Sequence, residues 1–266
     1  MNQDLVKEKL LSLENELSFK DANDFKVTFS GKKSQKVNGL YKPGAQEIII
    51  HNKNFTDDNS LIYTAIHEFA HHICYIKSGK LKITRAHSSI FWSLFHKLLI
   101  KAEQTGVYKS IFETNLEFIK LTGEIKEKYL TTNGHLMKEF GKVLTSAMEL
   151  CQKYNVRFED YIDRGLLLPR NTAKSIMNVY NMDIDPKLGY DNMKIVASIK
   201  DEEKRQESEK ALLEGHTPDM IKASIVNEPM AENLKDRLEK ERDRIERTIE
   251  NLKKKLEEIE SKLDEY

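Results

Sequence analysis

The run IYTAIHEFAHHI, Ile62 to Ile73, constrains the fold more than any other part of the chain. His67 and His71 are four residues apart. On a helix each residue turns by ~100°, so positions i and i+4 stand nearly one above the other on one face. Around that face Ile62, Ala65, Ile66, Phe69, Ala70 and Ile73 supply an apolar body. The pattern predicts a helix from about Ser60 to Ile76, buried over most of its circumference, that still holds two imidazoles together. Asp57 to Ser60 offer N-caps for it, and Ser78-Gly79 ends it.

The period differs on either side. Leu5, Leu10, Leu11, Leu13 and Leu17 recur at near-helical spacing, so the chain opens with a helix. FKVTF (Phe25–Phe29) alternates as a half-buried strand does. KVNGLY and QEIIIHN follow, with Pro43-Gly44 marking a turn between them, giving two or three strands that end near His51. EIIIHN is offered as an edge strand open to substrate by strand addition, or as an ordinary core strand. After a connection at KLKITRA, HSSIFWSLFHKLLIKAEQ reads as an amphipathic helix with Phe91, Leu94, Phe95 and Leu98 inward.

From about Lys109 to Pro229 the segments are helical: Ile111–Tyr129, Leu136–Tyr154, Phe158–Arg164, Thr172–Tyr180, Met193–Ile199, Asp201–Glu214 and TPDMIKASI. In the last stretch Leu238, Ile245, Leu252 and Ile259 repeat at seven, interleaved with Ile249, Leu256 and Leu263. Lys235 and Arg242 take the earlier a positions of this seam. The expected fold class is α+β: a small N-terminal sheet packed on the histidine-bearing helix (residues 1–105), an all-helical module (106–229) and a C-terminal coiled coil (230–266) that self-associates.

His67-Glu68-Phe69-Ala70-His71 is an HExxH motif. Two imidazoles one turn apart can bind one Zn²⁺, and Glu68, turned to the side, can take a proton from water at the metal. A catalytic zinc needs a third protein ligand. His87, where the connection meets the next helix, is the choice. His96, nine residues on, falls on the opposite face, and His72 is turned away from the pair. His51, His135 and His216 are remote in sequence. Cys74 shares the metal face but reads as a small core residue rather than a ligand. Tyr41, Tyr63 and Tyr75 are near enough in sequence to be considered as oxyanion donors.

Bulk numbers exclude other chemistries. Lys+Arg and Asp+Glu are both 43, so net charge favours neither nucleic acid nor membrane. Two cysteines without a CxxC cannot build a cysteine zinc ribbon and suit a reducing cytoplasm. The opening MNQDLVKEKLLSLENELSF is charged throughout, unlike a signal peptide, and no apolar run approaches a bilayer span.

HEFAHH followed by AHSSIFW resembles the SprT-like (Spartan-related) metallopeptidases: HExxH, a short excursion, then a third histidine with an aromatic four residues on, here His87 and Phe91. NGLYKPGAQEIIIHN is similar to the strand pair these domains place before the active-site helix. The resemblance covers roughly residues 1–105, and Ser88 stands where the family usually has glycine. It implies a zinc metallopeptidase acting on a protein substrate, with His67, His71 and His87 as ligands and Glu68 as general base. It also implies a link to DNA-associated proteins.

PRNTAKS opens a segment that resembles the second helix of helix-turn-helix modules. Arg170, Asn171, Lys174 and Ser175 would face DNA, with Ala173, Ile176 and Val179 inward. This supports an alternative function: a DNA-binding regulator of a mobile element, whose protease-like domain processes one partner or serves only as structure.

Overall fold

The computed structural model describes residues 1–17, 22, 24–80, 86–225 and 234–264. They fall into two units, Met1–Val226 and Asn227–Tyr266.

The first unit opens with α1 (Gln3–Leu17), whose Val6, Leu10 and Leu13 are fully buried at three- and four-residue steps. Leu5, one position off that stripe, is exposed. Three short strands follow: β1 (Lys26–Phe29), β2 (Gly39–Lys42) and β3 (Glu47–Ile50), in the spatial order β1-β3-β2. β3 runs parallel to β1 and antiparallel to β2, with Gly39 opposite Ile50 and Lys42 opposite Glu47. Ile48 and Ile50 point into the core. On the other face Glu47 accepts from Thr28 Oγ1 and lies within 4 Å of the Lys26 and Lys42 ammonium groups. EIIIHN is therefore not an edge. β3 is the middle strand with neighbours on both sides, and the edges are β1 and β2.

The sheet rests on α2 (Asp58–Lys77), which carries the HExxH residues. Asp57 caps it by accepting from the Ser60 amide at 2.8 Å. α3 (Ser89–Gln104) packs across α2 and buries Phe91, Leu94, Phe95 and Leu98, the four residues expected inward. One apolar core joins α1, the sheet, α2 and α3. The connection read at KLKITRA lies largely at 81–85, outside the described residues.

α4 (Ile111–Thr114) and α5 (Leu116–Ile125) lead through a π-helical turn, Lys126–Thr131, straight into α6 (Thr132–Lys153). The break expected between Tyr129 and Leu136 is absent: the backbone stays helical from Leu116 to Lys153. Gly134, inside this run, makes a close approach to the backbone at Pro186. A Cβ there would collide with the Pro186 carbonyl oxygen and stand 2.9 Å from the Pro186 Cα.

α7 (Phe158–Asp160) and a second π turn, Tyr161–Gly165, precede α8 (Arg170–Asn181), which packs on α6 around buried Leu144, Ile162, Ala173 and Ile176. α9 (Tyr190–Ala197) and α10 (Glu202–Leu213) surround a smaller core of Val179, Ile184, Met193 and Val196. α11 (Pro218–Ile225) then returns to α3, where Thr217, just ahead of it, meets His96 and Ile221 is buried.

The described residues of the second unit form one helix, α12 (Leu234–Asp264). Ile245, Ile249, Leu252, Leu256 and Ile259 of the expected seam are exposed, while the Leu238 and Leu263 side chains lie outside the described set. Among the described residues no helix is long and apolar enough to cross a membrane.

Alanine is the better helix former by ~1 kcal/mol, yet Gly134→Ala should destabilise the protein by about 2 kcal/mol, because overpacking against backbone outweighs propensity. Urea unfolding checks the sign, and a stabilised variant would show that the Gly134–Pro186 approach is not tight.

Candidate metal centre

Three of the eight histidines converge. His67 and His71 project from one face of α2, and His87 stands immediately before α3. Among the described residues these three form a group that can hold a metal ion, with one nitrogen from each within 4.8 Å of the others. The Nε2 atoms of His67 and His87 are 3.2 Å apart. Two imidazoles bound at 2.0–2.1 Å to one tetrahedral ion would hold their nitrogens roughly 3.3 Å apart, so this pair already has ligand spacing.

α3 sets aromatic rings against all three imidazoles, and Phe91 meets each of them. Phe91 stacks on His71 at 4.3 Å, Trp92 stacks on His87 at 5.5 Å, and Phe95 meets His67 edge-on at 5.1 Å. Ser88 is the N-cap of this helix, its hydroxyl accepting from the Phe91 amide. The residue after the third histidine thus starts the helix that carries the aromatic floor. Burial pulls His67 and His71 down to about 4, and the neighbouring imidazoles add to the shift in both. Neutral imidazole is the form that ligates metal, so the donor set fits an ion.

Glu68 points off the ligand face and is buried against β2. A Cβ on Gly39 would stand 2.9 Å from Thr64 Cγ2 and 3.1 Å from Glu68 Cγ. Glycine there lets the strand lie close on the helix, with the Tyr41 amide facing the carboxylate. Burial raises Glu68 to about 7, and the Tyr41 amide opposes the rise.

The remaining histidines are placed elsewhere. His72 is fully buried: its Nε2 donates to the Ala22 carbonyl (3.0 Å), leaving Nδ1 to accept from the Tyr41 hydroxyl (2.9 Å). This structural role went unread in the sequence, although Ala65, Phe69 and His72 share the buried stripe at four- and three-residue steps. Tyr41 is thereby engaged, and burial, then Tyr75, pushes its phenol well up. Tyr75 lies edge-on to Tyr41, while Tyr63 packs on Phe95 and Tyr108. His51 Nδ1 lies 2.8 Å from Ser30 Oγ, and His96 Nδ1 lies 2.9 Å from Thr217 Oγ1. His135 and His216 are exposed. Cys74 is half-buried against the main core.

At the start of α8, Arg170, Asn171 and Lys174 are exposed and Ser175 is half-buried, its hydroxyl bonded to the Asn171 carbonyl. Arg170 is held by Asp163, with its Nε 2.8 Å from Oδ2. The strongest cation of the expected nucleic-acid face is therefore already paired within the chain.

Trp92 is the single tryptophan and reports on His87. Titration of a divalent transition metal should change its emission with one equivalent per chain. His67→Ala, His71→Ala and His87→Ala should each weaken binding more than ~100-fold, since even outer partners of a metal ligand cost 10–100-fold, whereas His96→Ala should not. Equal affinity in His71→Ala would refute the centre. The metal-free protein should also lose stability as pH falls from 6.5 towards about 4. In that window the unfolded chain binds protons at positions 67 and 71 that the folded chain does not. Glu68, raised to about 7, works in the opposite direction but with one proton against two. Urea midpoints of wild type and His67→Phe/His71→Phe should diverge in slope across this range; parallel curves would rule the assignment out.

Compared with protein-family models, with characterised proteins and with solved structures, the chain gives no match.

Proposed function

We propose that this chain is a zinc-dependent metallopeptidase of SprT-like kind that hydrolyses peptide bonds of a protein substrate. The observation that carries the reading is the convergence of three imidazoles, two of them on the helix that also carries the buried Glu68. Three neutral nitrogen donors suit Zn²⁺ among the common divalent ions and leave a fourth position for water or substrate. When bound, the ion would polarise the scissile carbonyl and lower the pKa of water.

His67, His71 and His87 would hold the ion, and the rings of Phe91, Trp92 and Phe95 orient the imidazoles and shield them on one side. Glu68 accepts the proton of the attacking water and delivers it to the departing amine nitrogen. Glycine at 39 leaves the Glu68 side chain the room it occupies beside β2. β2, an edge strand beside Glu68, can pair an extended substrate segment through its backbone groups.

The test compares wild type with Glu68→Gln. The variant should retain metal by Trp92 titration and lose at least ~100-fold in kcat, the scale of general-base catalysis. New protein N-termini in cells should appear with wild type only; the same termini with both would sink the peptidase reading. Gly39→Ala, whose Cβ would press on Thr64 and Glu68, should keep metal affinity and lower kcat about tenfold at unchanged KM, as a ~1.4 kcal/mol loss confined to the transition state.

A further inference from the structure

The unbroken helix from Leu116 to Lys153 carries an apolar seam that the described residues of its own unit leave exposed. Every residue from 111 to 130 is exposed. Phe118 and Ile125 are seven residues apart, as are Tyr129, Leu136, Val143 and Leu150, with a step of four across the π turn. Seven- and four-residue steps place side chains along one helix flank, the pattern by which a helix meets another helix. All six are large and open to water, Tyr129 at 65% and Val143 at 63%. The adjoining flank of α6, ~100° round the helix, supplies the buried Leu144 and Cys151, so the helix already has its own core on that side.

The size of the patch indicates what covers it. At ~180 Å² for a fully exposed large apolar side chain, the six seam residues leave roughly 600 Å² in water, and the exposed Leu121 and Tyr154 beside them bring it to roughly 800 Å². A monomer's largest apolar patch is ~300–600 Å², and each partner in a stable complex contributes ~800 Å². The charges narrow the choice of partner. Between Leu116 and Lys153 five glutamates stand against six lysines. A polyanion or an anionic lipid surface would select a uniformly basic face, whereas interspersed signs let a surface meet its own copy without net repulsion.

We propose that this seam is a homodimer interface, in which the Leu116–Lys153 helix of one chain packs against the same helix of a second copy about a twofold axis. A twofold contact is isologous, so one self-complementary patch is sufficient. The interface is distinct from α12 and independent of the reading of the metal centre.

Sedimentation velocity of the full chain, from about 1 to 100 µM, tests it. Wild type should dimerise within this range. Phe118→Glu/Ile125→Glu and Val143→Glu/Leu150→Glu should each weaken association at least ~100-fold. Because all four positions are exposed, both variants should keep the wild-type circular dichroism spectrum and melting temperature. Ile249→Glu/Leu256→Glu in α12 should leave this dimer in place. Wild type that stays monomeric at 100 µM overturns the proposal. So does an assembly that survives both seam variants and is dissolved by the α12 variant.

Discussion

Helix α2 has to be right in one degree of freedom above all, its rotation about its own axis. Ile62, Ala65, Ile66, Phe69 and Ala70 have no exposed surface, because α1, the sheet and α3 close over them. Burying a side chain of Phe or Ile size contributes ~1.5–3 kcal/mol each, so the apolar stripe supplies most of what holds the helix down. Each neutral hydrogen bond adds only ~0.5–1.5 kcal/mol. The His72 bonds to Ala22 and Tyr41 are therefore minor in energy but specific in geometry. A turn of one residue, ~100°, would carry His71 into the core and leave the Tyr41 hydroxyl and Ala22 carbonyl without His72. The apolar stripe and this polar tie select the same rotation, which presents His67 and His71 together.

That rotation was legible because it is local. The stripe, the i,i+4 histidines and the Asp57 cap all lie within one helix, where 3.6-residue periodicity reports directly on facing direction. The inward set of α3 and the buried Ala173, Ile176 and Val179 of α8 follow from the same rule. What escaped depends on partners distant in sequence. His72 is turned away from the ligand pair, but that its partners are Tyr41 and Ala22, 31 and 50 residues away, is not written in any spacing. The central place of β3 is a choice of neighbours, and III reads alike at an edge or in the middle of a sheet. The reason for glycine at 134 is Pro186, brought up from more than fifty residues away.

The helical part of the first unit is also more than an appendage to the sheet. α3 is held on one side by α2 and on another by α11, which arrives from the far end of that unit. Trp92 stands between these supports: it stacks on His87 at 25° and on His96 at 27°, and His96 in turn meets Thr217 at the head of α11. A contiguous run of side chains therefore joins the third histidine to the last helix of the unit. Of the three histidines, His87 is the one that depends on this support. His67 and His71 inherit their positions from a buried helix, while His87 is exposed and stands outside α3, ahead of its cap. Its ring gains orientation from what it stacks on, and a site is only as well ordered as the packing behind its ligands. Ser88 sets where α3 begins, Trp92 and Phe91 set the ring against the helix, and α11 backs the helix from outside. The geometry of the centre is thus shared between the two ends of the unit, although all three histidines lie within twenty-one residues of sequence.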